Sequence, residues 1–253
     1  MKISVYTLTL FFPFLLLAQP KVLIVASNVD KVNGKINGTY LMEIAIPFDY
    51  FIQHNVEVDI VSPKGGKAAI YHKGDTVQVL KNIVSNPLFI NKTSNTITPS
   101  DIKPKEYSAI IYPGGYGHFW DVYKDKKIAE IAATIYESGG VIGALGHGTA
   151  DLLNIKLQSN EYLVKGKTVT CFPTWCEKEL MAEADYGKLL PVDMENELIK
   201  RGANVKVCNK ENRKEGINIF MADTENRIVT AAFADGGSFV AEEVYKLLLK
   251  TDK

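Results

Sequence analysis

The stretch that decides the fold is Val141–Leu153, VIGALGHGTADLL. Val141–Leu145 is a continuous apolar run suited to a strand buried on both faces, GHG is a sharp turn, and the residues after it read as a short helix. Several enzyme folds hold an exposed nucleophile on such a strand-to-helix turn. Here the apex residue is Gly146, which has no side chain.

The flanking segments repeat the alternation. KVLIVAS (Lys21 to Ser27) predicts a buried strand, Tyr40 to His54 a helix despite Pro47, VEVDIVSP a second strand, and YSAIIYPGG a third that ends in glycines. KDKKIAEIAATIYESGG has amphipathic helical spacing with a glycine stop. YLVKGKTVTCF reads as hairpin-like and DMENELIKRGANVKVC as a helix followed by a strand. INIFMAD and RIVTAAF flank a turn, and GGSFVAEEVYKLLLK closes the chain as a helix. Buried strands alternating with helices predict one α/β domain, a largely parallel sheet sandwiched by helices in the flavodoxin-like manner. Residues 66–105, weakly patterned, are expected as an insertion over one face.

Composition narrows the function classes. The chain has 253 residues, is 46% hydrophobic and carries no formal net charge, so neither nucleic acid nor an anionic membrane has an electrostatic claim on it. Residues 1–18 place one lysine ahead of an apolar run shorter than the roughly 20 residues a spanning helix needs. This pattern suits a secretory signal cleaved after Ala18, leaving residues 19–253 as an exported domain with no stable membrane span. A buried first strand or a membrane anchor is the alternative. Cys171, Cys176 and Cys208 are an odd set without zinc-site spacing, so no metal and no cofactor are expected, and the disulfide state stays open.

Ligands of open α/β sheets bind beyond the carboxyl ends of the strands. Three features should gather there: Glu43 in the first turn of the first helix, the glycine loop PGGYG (Pro113 to Gly117), and the apex Gly146–His147. GTYLMEIAIPFDYF, VDIVSPKGG, YPGGYGHFWD, GALGHGTADLLN, VTCFPTWCEKE and PVDMENELIKRGANV, in this order, resemble the ThiJ/PfpI superfamily, which has the fold of class I glutamine amidotransferases. The nearer resemblance is to its chaperone-like, glutathione-independent glyoxalase III branch.

The resemblance implies roles residue by residue. Glu43 matches the family's helix glutamate, Gly146 its elbow cysteine and His147 the histidine beside it, while Glu177, before Glu179, falls near its acidic third partner. The backbone N–H groups of Gly115 and His147 match the oxyanion donors, and a homodimer is implied as well. A thiolate is the nucleophile of that chemistry, and glycine supplies none. The family's cysteine-dependent activity is therefore expected to be absent.

What remains is expected to be a concave, donor-rich site formed by Gly115, Tyr116, Gly146 and His147, helped by the start of the helix behind it, able to hold a small carbonyl or carboxylate compound. Partly desolvated, Glu43 would stay protonated, and His147 oriented by Glu177 would serve as acid or base. A cysteine-independent hydratase, isomerase or glyoxalase-like lyase using Glu43 and His147 is the second reading; a chaperone-like dimer with a vestigial elbow is the third. Plainer roles compete throughout. Gly146 relieves elbow strain, Glu43 answers the helix dipole, and His147 donates to a carbonyl. Cys176 is either a displaced thiol or packing under a loop. Tyr116, His118, Phe119 and Trp120 either shape a pocket or serve packing and an interface, with Asp121 capping the helix that follows.

Overall fold

Side chains of successive residues in a strand point to opposite faces, and this alternation builds the molecule. The computed structural model describes residues 19–184 and 190–251; the expected signal segment, 1–18, lies outside the described residues. In chain order the strands are β1 (Lys21–Val25), the short pair β2 (Lys31–Val32) and β3 (Lys35–Ile36), β4 (Thr39–Tyr40), β5 (Glu57–Val61), β6 (Ile70–Tyr71), β7 (Ala109–Tyr112), β8 (Val141–Leu145), β9 (Thr168–Val169), β10 (Asn204–Val205), β11 (Phe220–Asp223) and β12 (Ile228–Ala231). The helices are α1 (Leu41–Gln53), α2 (Thr76–Val79), α3 (Lys81–Val84), α4 (Pro87–Ser94), α5 (Lys126–Glu137), α6 (Thr174–Ala184), α7 (Met194–Lys200) and α8 (Gly237–Thr251).

The main sheet has the order β11-β12-β8-β7-β1-β5 and is parallel except for the edge strand β11. Leu23, Val25, Ile110, Tyr112, Ile142 and Ala144 enter one core with α5 and α7. Their neighbours Val22, Ile24, Ala109, Ile111, Val141 and Leu145 enter the other, with α1 and α8. Continuous apolar strands are what a sheet covered on both faces requires, and the expected α/β architecture is what forms.

Four expectations change. Residues 66–105 are the crossover from β5 to β7 rather than an added layer: Leu80 and Phe89 join the core beneath α1, and Ile97 bridges to Val61 in parallel. Their helices are only four to eight residues long, too short to leave a clear period in the sequence. The hairpin-like piece is no hairpin, because Thr168–Val169 pairs in parallel with Asn204–Val205, the strand that follows α7. The turn at the elbow continues into a 3-10 run, Gly146–Asn154, not an α-helix. Two poor helix formers, Gly146 and Gly148, open that run. Asp121 caps only a 3-10 turn, accepting from the Val122 N–H at 2.7 Å, while α5 is capped by Asp125, which accepts from the Ile128 N–H at 2.9 Å.

Candidate functional site

The elbow sits where β8 ends, with β7 and its glycine loop beside it. Gly146 has φ +54°, in the left-handed region where residues with a Cβ are strained. The space that a side chain on this residue would enter is already taken. A Cβ built on Gly146 would collide with Oε1 of Glu43 and lie 3.3 Å from its Cδ. The open hollow expected above Gly146 therefore does not exist. The Glu43 carboxyl fills it, and Gly146 itself does not line the cavity.

Glu43 reaches this place from the first turn of α1, whose start is tied to the glycine loop by the Tyr40 N–H donating to the Gly114 carbonyl at 3.0 Å. Pro47, four residues on, lacks the N–H that would bond the Glu43 carbonyl in a regular helix. Gly114 leaves the carboxyl its room: a Cβ there would stand 2.6 Å from Glu43 Oε2 and 2.7 Å from the His147 backbone nitrogen. Burial pushes the Glu43 carboxyl well above its ordinary range, against the Gly114 N–H that pulls it down and with help from the charge of Asp235. Burial therefore favours the protonated carboxyl, a form with a proton to donate.

His147 is the second polar group. Its Nε2 lies 2.7 Å from Glu177 Oε2, and the other oxygen of that carboxylate accepts from the Tyr116 hydroxyl at 3.2 Å. With Nε2–H donating to the carboxylate, Nδ1 is the lone-pair nitrogen. Three aromatic rings hold the imidazole: Tyr116 at 4.5 Å, Phe172 at 4.7 Å and Phe119 at 5.5 Å between centroids. Glu177 arrives from the first turn of α6. Glu179 faces away and pairs with Lys210, so the acidic partner is Glu177.

A cavity of about 200 Å³ opens on these groups, lined by Glu43, His147, Gly115 and Tyr116 together with Phe172, Leu180 and Ala234. Tyr40, Tyr71 and Lys73 also line it, and the sequence reading missed them. Tyr40 and Tyr71 face each other because β4 and β6 pair in parallel, Tyr40 opposite Tyr71, with ring centroids 5.4 Å apart. The only signal in the sequence was proximity of Tyr40 to Glu43; nothing in it marked residues 71–73.

The remaining candidates fall outside the cavity. All three cysteines are free and buried. Cys176 packs with Cys208, Ala232 and Phe233, and burial pushes its thiol up, so it is no displaced thiolate. His118 is sealed in the interior, with Nδ1 2.6 Å from Asp151 Oδ2 and Nε2 3.1 Å from Thr39 Oγ1. Phe119 is buried and Trp120 half-buried, so of the aromatic group only Tyr116 reaches the cavity. Among the described residues no group of three or more His, Cys, Asp or Glu side chains is placed to hold a metal ion, and no helix is long and apolar enough to cross a membrane.

Fold and site together define an α/β protein with a strand-to-turn elbow whose apex residue is Gly146. The chain belongs to the DJ-1/PfpI family, whose model matches residues 35–199. Within that family it lies near the glyoxalase III branch. It is 27% identical over 238 residues to Glyoxalase 3 of Candida albicans, covering 88% of this chain and 96% of that one. The crystal structure of glyoxalase III from Candida albicans superimposes with a TM-score of 0.76 at 25% identity, over 90% of this chain and 97% of the other. Rapid Encystment Protein 24 KDa of Francisella tularensis gives a TM-score of 0.77 at 26% identity, over 91% and 99%.

Proposed function

We propose that this protein binds a small carbonyl or carboxylate compound at the elbow without thiol catalysis. The observation that carries this reading is the buried Glu43 carboxyl, seated in the space beside Gly146 at the edge of a cavity that His147 also lines, where burial favours its protonated form. An acid O–H and backbone N–H groups hold an oxygen of the ligand by hydrogen bonds, and the Tyr116–Glu177 pair keeps the imidazole fixed against it. No covalent adduct forms, because the residue at the apex has no side chain.

Calorimetric titration with acetate, methylglyoxal and pyruvate tests this. Saturable binding that weakens in both Glu43→Gln and His147→Ala is expected, with no mass increase of the protein. Binding of none of the three, or binding indifferent to both substitutions, rejects it.

A second reading draws on the relatives, which are named as glyoxalases. In it, Glu43 and His147 act as acid and base in a thiol-free conversion of the bound carbonyl compound. Turnover of methylglyoxal that stops in Glu43→Gln or His147→Ala would select it. Export and dimerisation belong to the same proposal: N-terminal sequencing should start at Gln19, and light scattering should give twice the chain mass.

A further inference from the structure

We infer that the ligand of this site is a small α-oxo carboxylate, with its carboxylate held by Lys73 at the mouth of the cavity and its oxo group directed to Glu43. The inference rests on the binding role proposed above and narrows it to one chemical class.

The charge of the cavity lining is the first ground. Among the described residues, only two that line the cavity carry groups ordinarily charged at neutral pH, Glu43 and Lys73. Burial favours the neutral form of the first, whose carboxyl is packed against Gly114 and Gly146. Lys73 is exposed and forms no ion pair among the described residues. Asp235 acts on Glu43 through its charge but does not line the cavity. Among the described residues, the lining thus offers one permanent cation with no ion-pair partner and no second carboxylate beside Glu43. A neutral aldehyde makes no use of that cation; a carboxylate does.

The second ground is that Lys73 is held in place. The pairing of β4 with β6 fixes Tyr71 beside Tyr40, and the chain then turns at once. The Lys73 carbonyl accepts from the Thr76 hydroxyl at 2.5 Å, and that hydroxyl lies 3.3 Å from the Tyr40 hydroxyl. Tyr40 is itself tied to the glycine loop through Gly114. The backbone that bears the ammonium group is therefore anchored to the residues that frame the cavity, and only its flexible side chain has to be ordered on binding.

The third ground is the separation of functions along the cavity. The floor supplies the neutral donor Glu43 and the imidazole of His147, groups suited to an uncharged oxygen. The mouth supplies the cation. A ligand that uses both ends carries an anionic and a neutral oxygen function on one short carbon skeleton, as an α-oxo carboxylate does. A cavity of about 200 Å³ limits it to a few carbons.

Calorimetric titration of the protein with pyruvate and with methylglyoxal, which replaces the carboxylate by an aldehyde, reads the inference directly. Pyruvate should bind at least about ten-fold tighter than methylglyoxal, and the advantage should shrink in concentrated salt. Lys73→Gln should remove that advantage, bringing pyruvate affinity down to that for methylglyoxal in the same variant, and Lys73→Glu should weaken pyruvate further. Lys73 is exposed, so both variants should fold, which circular dichroism checks. Equal affinity for the two compounds in the unsubstituted protein, or pyruvate affinity unchanged in Lys73→Gln, overturns the inference and leaves the binding role standing. Failure of both compounds to bind overturns the inference, and failure of acetate with them defeats the binding role as well.

Discussion

The molecule contains two histidine–carboxylate pairs of similar geometry and different consequence. His147 meets Glu177 at 2.7 Å, and His118 meets Asp151 at 2.6 Å. The second pair is shut in completely: both ring nitrogens are engaged, and His118 has no exposed surface. Burial pushes the Asp151 carboxyl up to about 6 even though the adjacent imidazole pulls it down. The first pair borders a cavity and keeps one ring nitrogen outside its carboxylate contact. A short His–carboxylate distance is thus no mark of function. What separates the two is whether a lone pair remains where a small molecule can reach it.

The sharpest way to break this comparison is to remove each imidazole. His118→Ala strands the buried Asp151 carboxyl and should cost about 3–5 kcal/mol in urea denaturation. His147→Ala, at the cavity wall, should cost about 1 kcal/mol and instead abolish ligand binding. Equal stability losses in the two variants would erase the distinction.

Gly146→Cys probes the elbow side of the comparison. The new Cβ needs a left-handed backbone and the space held by Glu43 Oε1, so a loss of about 1–3 kcal/mol is expected by thermal or chemical denaturation. Coupling with Glu43→Ala should recover part of it. Full stability in the single variant would show that Glu43 moves aside freely.

Glu43→Gln should act through pH. In strong acid both the folded and unfolded protein hold the proton on residue 43. Above the ordinary carboxyl range only the folded state still holds it, so the native protein loses stability as pH rises toward the raised pKa. Glutamine has no proton to lose. The melting temperature of the variant minus that of the native protein should therefore grow from about pH 4 to about pH 8; a difference that is flat over this range would place a charged carboxylate at the elbow. The smallest effect belongs to Tyr116→Phe, which removes one 3.2 Å hydrogen bond to Glu177 and should cost about 1 kcal/mol or less. It should weaken binding less than His147→Ala does.

Much of this was legible in the sequence, for reasons of local physics. Two-sided burial forces continuous apolar strands, so Lys21–Val25, Ala109–Tyr112 and Val141–Leu145 announced a covered parallel sheet. Amphipathic spacing and a glycine stop marked α5. Glu43, His147 and Glu177 were identified from where their motifs fall, and the fold brings them to one place. The crossover of residues 66–105 was not legible, because four-residue helices leave no period and their packing comes from Leu80 and Phe89 reaching the core. His118 and Asp151 gave no hint of their pairing at a separation of 33 residues.

The sequence by itself determined that the apex residue, Gly146, has no side chain, a covalent fact that folding does not alter. It determined the strand–turn–helix frame for the same kind of reason: apolar periodicity and glycine act over a few residues. Only the tertiary structure decided what occupies the vacancy. Glu43 and Gly146 are a hundred residues apart in the chain, and their contact depends on how α1 seats against β7 and β8. The same holds for Lys73, brought to the cavity by a two-residue strand pairing that no local pattern records. Burial, which sets the charge of Glu43, is a property of the packed molecule alone.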